Sequence, residues 1–118
     1  QYDAASNTLR LDFSGLEVTD IEDCELIRDV ATARCVAAGK KVNAIVNYDS
    51  FSISEDLIDK YLDITGPVIR NYYANTTRFT SSDDMRNKLV ERFQQHKLVP
   101  AFFANEKEAS RVLTKGAR

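Results

Sequence analysis

Residues 40–61, KKVNAIVNYDSFSISEDLIDKY, decide the fold. Val42, Ala44, Ile45 and Val46 are apolar almost without interruption. That is the pattern of a parallel strand buried on both faces, not the alternation of a half-solvated one. Asn47-Tyr48-Asp49-Ser50 supplies turn formers. Ser54 then reads as the N-cap of a helix, with Glu55 and Asp56 in its favourable first turn and Ile53 and Ile58 at staple positions. Strand, turn and helix in this order make the unit of an α/β domain, where ligands and partners gather between a strand's carboxyl end and the next helix.

Upstream, Tyr2-Asp3, the turn residues Ala4 to Asn7 and the alternating run from Thr8 to Phe13 predict a β-hairpin with Leu9, Leu11 and Phe13 inward. Gly15 marks its exit. Thr19 and Glu22 have capping-box spacing. Ile21, Cys24, Ile27, Ala31, Cys35 and Ala38 follow at steps of three and four, one apolar helical stripe. Gly39 fits the left-handed position past its end, with Lys40 and Lys41 beside the negative terminus.

Downstream, the helix after Ser54 should bury Leu57 or Ile58, Tyr61, Leu62, Thr65, Val68, Ile69 and Tyr72, and Pro67 predicts a kink or break near Asp63. Thr76 to Thr80 reads as a third core strand. Ser81 or Ser82 caps a helix from Asp83 to about Lys97, with Met85, Leu89 and Phe93 inward. Pro100 to Ala104 forms a short last strand, and Asn105 with Glu108 opens a final helix through Ala109, Val112 and Leu113. Thr114 to Arg118 should fray. The order ββαβαβαβα implies a single α/β domain, a mainly parallel sheet with right-handed crossovers and flanking helices.

The 118 residues suffice for one ordinary core, and 43% hydrophobic with 29% charged residues is a soluble globular composition. A net charge of −2 provides no overall positive field for nucleic acid or anionic lipid. No apolar run approaches the roughly 18 residues of a membrane span. The chain opens on Gln1 and its only methionine is Met85, so it is expected to be a piece cut from a longer protein. Cys24 and Cys35 share one predicted helix and stand roughly 16 Å apart along it. A disulfide needs Cα atoms within about 7 Å, so they are expected as buried thiols in a reducing cytoplasm. With one histidine and no close cysteine pair, no metal site is expected, and no cofactor.

Candidates for chemistry are few. His96 reads as a helix-end residue. The pairs Glu22-Asp23, Glu55-Asp56 and Asp83-Asp84 fall in first turns of helices, which accounts for them. Arg70, Arg78, Arg86, Lys88 and Arg92 make a basic cluster around the third strand and helix. Arg78, set among apolar and β-branched residues, could hold an anion together with the hydroxyls of Thr80, Ser81 and Ser82, or pair with Asp49, Asp83 or Asp84.

Tyr2-Asp3, Asn7-Thr8-Leu9, Phe13-x-Gly15-Leu16, Val46-Asn47-Tyr48-Asp49-x-Phe51, Tyr72-Tyr73 and Thr77-Arg78-Phe79-Thr80 together resemble the C-terminal segment of bacterial acyl-CoA:acetate/3-ketoacid CoA-transferases. The resemblance implies a STAS-like fold, that of the anti-sigma-factor antagonists. It implies an appended, non-catalytic interaction or regulatory module of an enzyme that moves CoA between an acyl-CoA and a small carboxylate. Its partners would be the transferase domains of the same chain or another protein domain, with a homo-oligomer also open. STAS antagonists carry a phosphorylatable serine at the start of the helix after this strand. Matched on Phe51, that position is Glu55 here, so the phospho-switch does not carry over. The alternative function is a small anionic-ligand domain for a CoA thioester or nucleotide, with its site between the Asp49–Ser54 turn and Arg78. Under either reading the working surface comprises Asn47, Tyr48, Asp49, Ser54, Glu55 and Arg78.

Overall fold

The computed structural model describes the backbone of residues 1–116 and the side chains as far as Leu113. In chain order the elements are β1 (Tyr2–Asp3), β2 (Thr8–Asp12), β3 (Glu17–Val18), α1 (Ile21–Ala38), β4 (Val42–Asn47) and β5 (Ser52–Ile53). There follow α2 (Ile58–Tyr72), β6 (Tyr73–Phe79), α3 (Asp83–Gln95), β7 (Phe102–Phe103) and α4 (Glu106–Gly116). Residues 117–118 of the tail expected to fray lie outside the described residues; the backbone before them is helical.

The main sheet has the order β1-β2-β4-β6-β7. Only β1 runs antiparallel to its neighbour. β4 pairs in parallel with β2 on one side and β6 on the other, so its apolar residues meet core on both faces. Val42, Ala44 and Val46 share a core with Leu9 and Leu11 of β2 and with the inward residues of α1, α2 and α3. Ile45 and Phe79 point the other way, onto Ala109 and Leu113 of α4. The strand order advances in one direction, and right-handed crossovers stepping one way place their helices on one face. The sheet therefore contains no point at which its order reverses, and the crevice that usually collects ligands in α/β sheets does not form.

Several local expectations are corrected. β3 and β5 pair in parallel as a separate two-stranded sheet, adding two strands to the expected order. At two residues each they are too short to show a period. The α1 cap lies one residue later than expected: Asp20 accepts from the Asp23 amide at 2.9 Å, and the Asp23 carboxylate accepts from the Thr19 amide at 3.0 Å. These bonds, the Thr19 amide foremost, hold the Asp23 carboxyl below its usual range. Ile21, placed in the buried stripe, is 41% exposed, whereas Cys24, Ile27, Ala31 and Cys35 are buried.

Ser54 makes no side-chain cap bond, because Glu55–Leu57 form a 3₁₀ turn ahead of α2. No break occurs near Asp63; α2 runs on through Pro67. Gly66 precedes that proline and removes the Cβ that would clash with its ring. Asp63, whose carbonyl loses its donor to Pro67, is exposed, so water can satisfy it. Other sequence signals hold as read. Gly39 closes α1 at φ 77, Ser82 caps α3 through the Met85 amide, and Asn105 accepts from the Glu108 amide at 2.9 Å.

Cys24 and Cys35 are free and buried, and desolvation pushes both thiols up. A thiol-specific chromophore should therefore label the native chain only at the rate of structural opening and label both sites promptly in denaturant. Prompt stoichiometric labelling of the native protein would contradict this packing.

Candidate functional site

The alternation of β6 sends its side chains to opposite faces. Thr77 and Phe79 face α4, where the Thr77 hydroxyl donates to the Ala109 carbonyl at 2.9 Å. Arg78 must then turn toward α3. Its guanidinium carbon lies 4.5 Å from the Phe93 ring centre and 5.8 Å from that of Phe102, and Nη1 donates to the Val99 carbonyl at 3.3 Å. The residue is 2% exposed, and its Nε has no hydrogen-bond partner among the described residues.

Arg78 makes no ion pair among the described residues, which overturns the pairing with Asp49, Asp83 or Asp84. Asp49 instead accepts from the Ser81 amide at 2.6 Å, and Asp83 pairs with Arg86. A desolvated cation–π contact supplies about 2 kcal/mol, whereas removing a guanidinium from water costs several. The protein groups leave this charge under-compensated.

Tyr48 leaves β4 on the same face and is buried against Phe13, Phe51 and Phe102. Its hydroxyl lies 2.9 Å from that of Tyr61 on α2. Burial pushes Tyr48 and Tyr73 up and Tyr61 well up, while the Arg78 charge pulls each back, joined at Tyr48 by hydrogen bonds with Tyr61 and Arg78. All three phenols therefore stay neutral near pH 7, and none balances Arg78. Tyr48, Tyr61, Thr65, Tyr73 and Arg78 share the walls of a small, partly open pocket of about 20 Å³.

The other expected site residues lie elsewhere. Asn47 accepts from the Asp49 amide at 2.8 Å, so together with the Asp49–Ser81 bond this turn is stitched to the β6–α3 loop. The Ser54 amide donates to the Val18 carbonyl of β3 at 3.4 Å, and Glu55 belongs to the seam between α2 and α3. There Glu55 meets Arg92 at 3.0 Å and Lys88 at 3.9 Å, and Asp59 meets His96 at 3.0 Å and Arg92 at 3.4 Å. His96 is the C-cap residue of α3, and its bond to Asp59 is the main cause holding that carboxyl below its usual range. The six residues thus divide into four places: Tyr48 with Arg78, Asn47 with Asp49, Ser54 beside β3, and Glu55 in the seam. The basic cluster divides as well, since Lys88 and Arg92 serve this seam and Arg86 pairs locally.

One surface was not singled out from the sequence. Leu16, Leu26 and Val30 are 40%, 62% and 42% exposed and line an apolar groove of about 210 Å³ with Phe13, Val18 and Ile27. The signal was present: Leu26, Val30, Ala33 and Ala37 form a second helical stripe on α1, beside the buried one. Among the described residues no group of three or more His, Cys, Asp or Glu side chains is placed to hold a metal. None of the helices there is long and apolar enough to cross a membrane. Comparison with family models, curated proteins and solved structures finds no match for this chain.

If the Tyr48–Tyr61 hydroxyl pair is satisfied internally, Tyr48→Phe or Tyr61→Phe alone strands one buried hydroxyl and should cost about 1–3 kcal/mol. The double variant should cost clearly less than the sum, with a coupling of about 0.5–3 kcal/mol in urea unfolding. Strict additivity would show that the two hydroxyls do not depend on each other.

Proposed function

We propose that this chain is a non-catalytic protein-interaction or regulatory module of STAS type, appended to a cytoplasmic CoA-transferase that moves CoA between an acyl-CoA and a small carboxylate. Its partner is the transferase part of that enzyme. The sequence resemblance supplies the family. A mostly parallel mixed sheet with four described helices is compatible with it.

The observation that carries the interaction reading is the second apolar stripe of α1. Leu26 at 62% exposure, Val30 beside it and Leu16 across the groove leave clustered aliphatic surface in water, where folding of this domain gains nothing from it. Glu17 and Asp23 border the groove. An apolar centre with a polar rim is the anatomy of a protein interface. A small-anion site between the Asp49–Ser54 turn and Arg78 has less support. The Asp49 carboxylate is engaged by the Ser81 amide, and the Arg78 guanidinium lies under α3.

Leu26→Lys with Val30→Lys should leave stability within about 0.5 kcal/mol per substitution, since both side chains are solvent-facing. In sedimentation with the transferase domains, the same change should weaken association roughly a hundredfold, equivalent to about 2.7 kcal/mol. Unchanged association in a folded variant would remove the α1 surface from the interface.

A further inference from the structure

The edge of β6 is only half covered. β7 pairs with Arg78 and Phe79 alone, so Tyr73 to Thr77 have no strand beside them on that side among the described residues. A cleft of about 370 Å³ opens there, walled by the amino half of β6, the turn after α3 and the inner side of α4. Among the described residues its charged lining has a single sign: Arg70, Arg78 and Lys97, with no carboxylate.

Each cation is held without an acidic partner among the described residues. Arg70 reaches only the His96 carbonyl, at 3.4 Å. Lys97 sits in the left-handed region at φ 60, a conformation costly for a lysine, in the short turn that ends α3. Arg78 is the decisive member. It is 2% exposed, its Nε is unpartnered among the described residues, and it walls both the small pocket beside Tyr48 and this cleft. Its field in a low-dielectric wall adds to those of the two exposed cations, which concentrates anions at the cleft mouth.

We propose that this cleft is a binding site for a small organic oxyanion, a carboxylate or phosphate head on a short apolar body. Arg78, Arg70 and Lys97 take the head, and Ile69, Leu98 and Val99 take the body. The volume stands at the small end of ligand sites, about 300–1,000 Å³, which suits a head with a short chain and does not enclose a nucleoside. The uncovered β6 edge adds backbone donors, which fix an oxyanion's orientation as well as its charge. Occupancy would give the buried Arg78 charge the counter-charge that the described residues do not provide. This site lies away from the α1 surface, so the two proposals fail independently.

The test is an amide-resolved NMR titration of the intact chain at fixed ionic strength with butyl phosphate, butyrate and neutral butanol. At least one of the two anions should shift the amides of residues 73–77 and 97–101 saturably, the tighter of them identifying the head group, while butanol does not. Arg70→Gln with Lys97→Asn, two exposed changes compatible with the local backbone, should weaken that binding roughly tenfold or more with an unchanged melting midpoint. The proposal is overturned by the absence of a saturable shift with both anions, by equal binding of butanol, or by undiminished binding in the folded double variant.

Discussion

The core of this protein is built around a cation, Arg78, that no carboxylate among the described residues answers. Arg78 is fixed by sheet alternation on the face covered by α1, α2 and α3, where α3 presents Phe93 and β7 presents Phe102. Two aromatic faces, the Val99 carbonyl and a hydrogen bond with the Tyr48 side chain hold the guanidinium, and the neighbouring phenols stay protonated. A guanidinium buried this way loses more to desolvation than aromatic contact returns. The packing of Phe93, Phe102, Tyr48 and Val99 is therefore arranged around a group that opposes stability. Such conflicts concentrate at working sites, where local structure departs from what folding alone would select.

The one-directional strand order explains where a working site can and cannot be. Without a reversal of order, the carboxyl ends of the strands form no crevice, and the turn after β4 is closed onto the β6–α3 loop by the Asp49–Ser81 bond. The same order leaves β6 beside a β7 of two residues, so the sheet ends in an uncovered edge. The ion-pair seam of Glu55, Asp59, Arg92 and His96 fastens α2 to α3 at the surface. The cations without a carboxylate partner among the described residues gather just past the same end of α3, in the turn after His96 and along β6, and the aliphatic stripe of α1 faces away from the sheet. Two surfaces are left with unmet physical requirements, one apolar and one basic.

Much of the fold was legible because its signals are local. The unbroken apolar run in β4 announced burial on both faces, Gly39 announced the end of α1, and Asn105 with Glu108 announced the start of α4. What escaped reading depends on partners distant in sequence or on competition between near-equal local choices. Asp20 and Thr19 both suit an N-cap, and the geometry of Asp23 decides between them. Pro67 is tolerated within α2 because Gly66 precedes it. β3 and β5 exist only through each other, across 35 positions of register from Glu17 to Ser52. The site was legible in its members rather than in its arrangement. Tyr48 and Arg78 do meet in one pocket wall, whereas Asn47, Asp49, Ser54 and Glu55 serve turns and helix contacts. Its apolar and β-branched neighbours marked Arg78 as unusual, but that it lacks a carboxylate partner among the described residues follows only from the fold.

The most direct measurement of this account is urea unfolding of Arg78→Met in a buffer free of organic anions. Methionine keeps a similar length against Phe93 while removing the charge, so a cation under-compensated by the protein predicts stability equal to wild type or higher, by up to about 4 kcal/mol. A loss of about 3–5 kcal/mol, the cost of breaking a satisfied buried charge pair, would show that Arg78 is fully balanced within the fold and would contradict the account.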